Sequence, residues 1–321
     1  MRDCAAVAAH CPPRLAVRGA KEELMSFVAL DWGTTSLRGA LLAEDGRVLE
    51  ERSAPRGILH LDGASFAEVF EAFTLDWMAV PGRRCLIAGM AGSRQGWVEA
   101  PYCACPCGAG DIAQQVVPVV PGRIDMVPGL VDHQSGVPDV MRGEETQILG
   151  AMRLTGLREG LFVLPGTHNK WARVADGRVT GFRTFMTGEF YALLSQQSIL
   201  ARTLQADAPL VRQAFLDGVD RARRADSPGL LHLAFGMRAL SLFDRLSPAA
   251  AASYLSGLLI GDELRAQPLQ PGVPVVLVGS PTLTERYALA LDSVGVPARL
   301  LDAQATWAGA HALWRARQAA G

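Results

Sequence analysis

The chain has 321 residues, enough for two domains with real cores, and at 49% hydrophobic and 20% charged it has a globular composition. A net charge of −1 argues against a nucleic-acid or anionic-membrane surface as the main partner. No apolar run reaches the roughly 18 residues that span a bilayer, and the cysteines (4, 11, 85, 103, 105, 107) show no secreted framework, which points to reduced thiols in the cytoplasm.

Residues 1–24 hold Cys4, Cys11, a Pro12-Pro13 pair and basic residues, with no apolar core long enough for a signal peptide. They read as a disordered leader or a misassigned start ahead of Met25. Phe27 to Leu30 then reads as a buried strand and Leu37 to Ala43 as another, joined by Asp31-Trp32-Gly33-Thr34-Thr35-Ser36. In that turn Gly33 lets the backbone approach a ligand, while Thr34, Thr35 and Ser36 offer hydroxyls and N–H groups to phosphate oxygens. Asp31, at the strand end, suits Mg²⁺ held directly or through its waters. The same stretch also suits a tight hairpin with an Asp cap.

Phe66, Val69, Phe70, Phe73 and Trp77 recur at helical spacing as a core-facing stripe. Cys85 to Met90 is a buried strand running into Ala91-Gly92-Ser93-Arg94, a turn that suits either a substrate wall or an ordinary strand-to-loop transition. Cys103, Cys105 and Cys107 alternate, but Pro106 interrupts them and the spacing is not that of a zinc site, so buried thiols are favoured over a metal. Gly108 to Ala113 matches a loose dinucleotide fingerprint without its preceding strand. Ile124 to Val127 reads as a strand, Gly129 to Val140 as a polar loop, and Met141 to Gln147 as the entry to a helix. The acids Glu144 and Glu145 there either favour the helix dipole or take a proton from a substrate hydroxyl.

A second copy of the opening pattern follows. Leu164-Pro165-Gly166-Thr167-His168-Asn169-Lys170 joins strand patterns at Leu161–Leu164 and Trp171–Ala175. Each copy then runs to an Asp-Gly hairpin signal, Asp45-Gly46 in the first and Asp176-Gly177 in the second. Such a repeat implies two lobes facing one ligand. Helices are predicted over Gly188–Leu204, Leu210–Arg223, Leu230–Leu246 and Pro248–Arg265, where Gly257 and Gly261 permit close packing. The strand Val273–Val278 ends in Gly279-Ser280-Pro281-Thr282, a helix N-terminus that lets an adenine or ribose approach the backbone. Ala298–Asp302 is a last strand and Ala303–Gln318 a closing helix, with Trp307 and Trp314 in the core.

No Gly-x₄-Gly-Lys-Ser/Thr run is present, so this is not a P-loop protein. Two Gly-Thr hairpins, an acidic helix between them and a late Gly-Ser-Pro turn resemble the superfamily of sugar kinases, actin and the heat-shock chaperone ATPases. Asp31-Trp32-Gly33-Thr34-Thr35, Ala88 to Ser93, Met141 to Gln147, Pro165 to Trp171, Phe182 to Glu189 and Tyr254 to Gly261 resemble the 2-dehydro-3-deoxygalactonokinase family in particular. The resemblance runs from about Met25 to Gln318. It implies an α/β fold of two ribonuclease-H-like lobes, the actin-like ATPase fold, with a cleft between a lobe at 25–141 and a lobe at 142–321 carrying a helical insertion. It also implies ATP-dependent phosphorylation of the terminal 6-hydroxyl of 2-dehydro-3-deoxy-D-galactonate, a small sugar acid, in galactonate breakdown.

On that resemblance Asp31 organises Mg²⁺, and Gly33, Thr34, Thr35, Gly166 and Thr167 hold the ATP phosphates, with Gly279 and Ser280 near the nucleoside. Arg38 and Lys170 offset charge. Arg183 and Arg142, with Arg94 behind them, are candidates to clamp the substrate carboxylate, and Gly92, Ser93 and Glu189 line its site. Many sugar kinases of the superfamily carry a catalytic Asp where this chain has Pro165, so the base must come from elsewhere. Glu144 is the first choice and Glu145 the second, with Glu189 and Asp132 behind. A glutamate before the second turn also resembles the exopolyphosphatases, leaving a phosphohydrolase, or a non-catalytic nucleotide binder, as alternatives. The sequence fixes neither oligomeric state nor sugar-acid stereochemistry.

Overall fold

In the computed structural model, residues 26–205 and 207–320 are described; the expectation for residues 1–24 lies outside them. The chain opens with strands β1 (Phe27–Trp32), β2 (Leu37–Leu42) and β3 (Val48–Ala54), helix α1 (Phe66–Thr74) and β4 (Cys85–Gly89). Next come β5 (Tyr102–Ala104), α2 (Ala109–Gln114), β6 (Val117–Val120), β7 (Ile124–Met126), β8 (Gly129–Asp132), β9 (Asp139–Met141) and α3 (Glu144–Thr155). The second repeat gives β10 (Gly160–Leu164), β11 (Asn169–Ala175) and β12 (Arg178–Phe185), then α4 (Thr187–Gln196), α5 (Arg212–Arg223), α6 (Leu230–Leu242) and α7 (Pro248–Arg265). β13 (Val275–Val278), α8 (Pro281–Asp292), β14 (Ala298–Leu301) and α9 (Gln304–Ala320) complete it.

The chain forms two units. The first runs to Ala100 and takes in Val116–Val127; the second comprises Pro101–Gln115 and everything from Pro128. The sheet of the first has the order β3-β2-β1-β4-β7-β6, and that of the second β12-β11-β10-β13-β14. In both, an antiparallel meander leads by a parallel pairing to the fourth strand and on to the fifth. This is the ribonuclease-H-like order, 3-2-1-4-5, written twice. The Asp-Gly turns form as expected, with Gly46 at φ 91°, Asp176 at φ 54° and Gly177 at φ 74°. Asp and Gly are the residues that enter this region at least cost.

Two expectations need correction. The segment Gly129–Val140 is not a polar loop: β8 and β9 pair there, and β5 joins them in a three-stranded sheet. The unit boundary also differs from 141/142. Asp132 and Asp139 accept the β12 backbone N–H groups of Phe182 and Thr184 at 2.9 and 2.7 Å, and Cys107 and Val179 exchange backbone bonds at 3.0 and 2.8 Å. These bonds fasten residues ahead of the expected boundary to the second sheet. A buried polar group needs such partners, and β12 supplies them.

The first unit's core gathers Val28, Leu30, Trp32, Phe70, Trp77, Ile87 and Met126. The second has a sheet core around Val163, Trp171, Phe215, Leu277 and Tyr287, and a helical core around Leu200, Leu233, Met237, Leu255 and Leu258. α5 and α7 touch backbone to backbone where the sequence places Gly257, whose missing Cβ would lie 2.0 Å from the Phe215 carbonyl oxygen. The α3–α9 pair repeats the device, since a Cβ on Gly150 would lie 1.7 Å from Ala305 O.

Candidate active site

In the first unit the β1–β2 turn is closed by a backbone bond from Gly33 N–H to Ser36 O at 2.9 Å. The backbone of Ile58 and Leu59 donates to Gly33 O and Thr34 O at 3.0 and 3.1 Å, underlaying the turn. Gly57 makes this approach possible: a Cβ there would sit 2.3 Å from Thr34 O and Thr35 N. Thr34, Thr35 and Ser36 are left exposed on a braced backbone. Asp31 faces Arg38 across the β1–β2 ladder and pairs with it. Gly89, at φ 94°, closes β4 beside them; a Cβ on it would lie 3.1 Å from Asp31 Oδ1 and 2.8 Å from Trp32 O. The carboxylate therefore keeps an uncovered side.

Gly92 and Ser93 follow in a single 3₁₀ turn and its cap. Gly92 O accepts Ala100 N–H at 2.9 Å, so this glycine is committed to packing. Ser93 Oγ is buried and has no hydrogen-bond partner among the described residues, which leaves it able to meet a ligand. The Arg94 side chain is 88% exposed and pairs with Glu99 at 3.4 Å.

The second unit's turn is built differently. Asn169 Oδ1 accepts Gly166 N–H at 2.6 Å, and Thr167 O accepts Glu189 N–H at 3.1 Å. Gly188 lies against it, since a Cβ there would be 2.2 Å from Gly166 O. His168 meets Glu189 at 2.6 Å above the turn. Asn169 Nδ2 reaches Glu263 Oε1 at 2.7 Å, and the same carboxylate takes Trp171 Nε1 at 2.8 Å, the Tyr287 hydroxyl at 2.9 Å and the Thr187 hydroxyl. Burial pushes Glu263 up to about 7, with the bonds from Trp171, Asn169 and Tyr287 pulling the other way. Nothing in the sequence flagged Glu263, because its partners lie 76 to 94 positions earlier and 24 positions later.

Beside this turn is a cavity of about 450 Å³, lined by Gly166, Thr167 and Asn169 on the turn, Thr187 and Tyr191 on α4, Ser256, Leu259 and Ile260 on α7, and Leu283, Arg286 and Tyr287 on α8. It offers peptide and hydroxyl donors along one wall, aliphatic side chains along another and one guanidinium. Gly279 and Ser280, expected at the nucleoside, do not line it. Gly279 N–H is spent on Leu301 O and Ser280 starts α8, whose next two turns form the wall instead.

The α3 acids both cap their helix. Glu144 accepts Arg142 N–H at 3.0 Å and Glu145 accepts Gly143 N–H at 2.6 Å, ahead of a helix whose N-cap glycine has no side chain to do so. Glu144 is half-buried. Glu145 is fully buried, and burial, then repulsion from Glu144, pushes it up to about 8. Its expected role as an alternative base fails for want of access.

The sequence model of the 2-keto-3-deoxy-galactonokinase family matches residues 31–314. The chain belongs to that family. It is 40% identical over 298 residues to the probable 2-dehydro-3-deoxygalactonokinase DgoK1 of Rhizobium meliloti (strain 1021), covering 90% of this chain and 97% of that one. It is 35% identical over 271 residues to the 2-dehydro-3-deoxygalactonokinase of Escherichia coli (strain K12), covering 84% and 90%. The crystal structure of a putative 2-dehydro-3-deoxygalactonokinase protein from Sinorhizobium meliloti superposes with a TM-score of 0.82 at 37% identity, over 92% of this chain and 99% of that one.

Against the needs of this kinase family, three expected cations are engaged elsewhere. Lys170 is buried, with Nζ donating to Val140 O and Thr184 Oγ1, both at 2.9 Å, so it ties β11 to its neighbours. Arg183 donates to Ala266 O at 3.1 Å, where α7 ends. It satisfies a C-terminal helix carbonyl, as cations at that end do. Arg142 is buried with its guanidinium 4.3 Å from the centre of the Tyr102 ring. Two of the three candidates for the carboxylate clamp are thus engaged within the protein, and Arg94 is the exposed one. Asp132 is held by Gln134 and Phe182 N–H groups, and Glu189 by His168, so neither outlying candidate for the base is free. Among the described residues no cluster of three metal-ligating side chains occurs, and Cys103 and Cys107 are buried free thiols.

Proposed function

We propose that this protein transfers the γ-phosphate of ATP to the terminal 6-hydroxyl of 2-dehydro-3-deoxy-D-galactonate, with Mg²⁺. The observation that carries the reading is the cavity of about 450 Å³ beside Gly166 and Thr167. Its polar wall suits phosphate and ribose, its aliphatic wall of Leu259, Ile260 and Leu283 suits a purine, and Arg286 supplies positive charge. The names of the relatives at 40% and 35% identity support the sugar acid as acceptor.

Thr34, Thr35 and Ser36 on one turn, and the Thr167 N–H and hydroxyl on the other, are the donors for phosphate oxygens. Gly166 contributes its lack of a side chain, since its N–H belongs to Asn169. Asp31 fits Mg²⁺, which keeps several waters and asks for one or two carboxylates, and Gly89 leaves room for them. The ion, when bound, neutralises charge on the phosphate oxygens. Arg38 shares the Asp31 carboxylate and adds charge there. Glu144 accepts the proton of the sugar hydroxyl, and Ser93 Oγ is a contact for the sugar acid. The cytoplasmic setting expected from the cysteine usage is part of this reading.

A coupled ADP-release assay with a panel of 2-keto-3-deoxy sugar acids, polyphosphate and no acceptor tests this. ADP is expected with 2-dehydro-3-deoxy-D-galactonate alone or best; phosphate release from polyphosphate, or ADP release indifferent to acceptor, refutes it. Glu144→Gln is expected to bind ATP normally and lose ~10²–10⁴ in kcat. Unchanged turnover in that variant takes the base away from Glu144.

A further inference from the structure

Glu263 is 2% exposed and sits on α7, a helix that contributes the cavity residues Ser256, Leu259 and Ile260. An ionised carboxylate only accepts hydrogen bonds, at about four lone-pair positions, and here four different side chains donate to it: Asn169, Trp171, Thr187 and Tyr287. The consequence for Asn169 is orientation. Its amide has a donor end and an acceptor end; with Nδ2 drawn to Glu263, Oδ1 faces Gly166 N–H. Without an acceptor-only partner below, that choice loses its reason.

We propose that Glu263 is a positioning residue for phosphoryl transfer: through the Asn169 amide it holds the Gly166–Thr167 backbone in the conformation that meets the phosphates. The proposal rests on the reading of this turn as a phosphate holder. A glutamine at position 263 shows why charge, not shape, is needed. Trp171 Nε1 can only donate, so the glutamine oxygen must stay with it and the NH₂ must turn toward Asn169, Thr187 and Tyr287. The two hydroxyls can rotate to accept. The Asn169 NH₂, which also donates to the Tyr287 hydroxyl, then faces another donor in place of its carboxylate; flipping the amide to relieve this sets its NH₂ against Gly166 N–H and opens the turn.

The test compares wild type, Glu263→Gln, Asn169→Ala and the double variant at pH 8, by amide hydrogen exchange of the free protein, MgATP titration calorimetry and steady-state kinetics. Glu263→Gln is expected to speed exchange at Gly166 by roughly tenfold or more, the loss of a bond anchored on a charge. It should raise KM for ATP by a similar factor and leave KM for the sugar acid unchanged. Added to Asn169→Ala, it should change either quantity by less than about twofold, because both act through one amide. Additive effects, or faster exchange spread evenly over α7 and α8 with KM for ATP unchanged, overturn the proposal and leave Glu263 a packing residue. If the variants do not fold, wild type alone decides: a Gly166 amide exchanging as fast as that of exposed Thr167 refutes it, and one protected well beyond it supports it. Exchange and MgATP binding need no acceptor, so failure of sugar-acid turnover in the wild type would count against the kinase reading and not against this one.

Discussion

The two Gly-Thr turns have the same strand–turn–strand frame and are braced in different ways. The first, Gly33–Ser36, is held by backbone bonds from a segment about twenty-five residues downstream, and its ion pair, Asp31–Arg38, is partly open to water. The second, Gly166–Asn169, is held by a buried carboxylate 94 residues from the asparagine that closes the turn. Glycine does the same work in both: Gly57 under the first and Gly188 under the second leave room for backbone where a methyl would not fit. A repeated motif can thus keep its frame while its support moves from backbone to buried charge.

The largest expected effect attacks what the turns share. Gly57→Ala and Gly188→Ala each put a Cβ within 2.2–2.3 Å of turn backbone, which must move. Each should cost ~1–3 kcal/mol in denaturant unfolding and on the order of 10²-fold in kcat/KM for ATP. Equal losses would show that both turns serve the nucleotide. A harmless Gly57→Ala would break the comparison and leave the first turn an ordinary hairpin.

Much of this was legible in the sequence, for physical reasons that differ by region. Strand, Gly-Thr turn, strand and Asp-Gly turn are local patterns, and all of them form. Helix α7 spans Pro248–Arg265 as the pattern predicts, because Ser247 caps it, Pro248 starts it and Gly257 and Gly261 mark its contact with α5. What escaped was long-range. β8 and β9 read as a polar loop because Asp132 and Asp139 look solvent-facing until β12 offers them N–H groups. Lys170, Arg142 and Arg183 read as ligand contacts because a cation's partner cannot be known from its neighbours in sequence. Glu263 showed no signal for the same reason.

A medium effect reads the buried acids by pH. Glu145, buried beside Glu144, has its folded-state value raised from 4.5 to about 8. A raised acid favours the protonated folded chain: its contribution is full below pH ~4.5 and is lost as pH climbs through about 8. Glu263, raised to about 7, acts in the same direction. Wild type should therefore lose stability between pH 5 and 9. Glu145→Gln, neutral throughout, should match wild type near pH 5 and exceed it by on the order of 2 kcal/mol at pH 9. Melting curves across that range check it; a difference that does not grow with pH would mean Glu145 is not held protonated by burial.

The smallest effect belongs to the first turn's ion pair. Arg38 is 33% exposed and Asp31 13%, so water and salt screen their attraction, and such pairs contribute about 0–1 kcal/mol. Arg38→Ala should lower unfolding stability by less than ~1 kcal/mol, and the loss should shrink further at 1 M salt. Chemical denaturation at low and high ionic strength measures both. A larger, salt-independent loss would mean that Asp31 depends on Arg38 as Asn169 depends on Glu263, and the contrast between an open and a buried brace would disappear. A small loss leaves Asp31 held mainly by the β1–β2 ladder, with its carboxylate available to a cation that competes with Arg38.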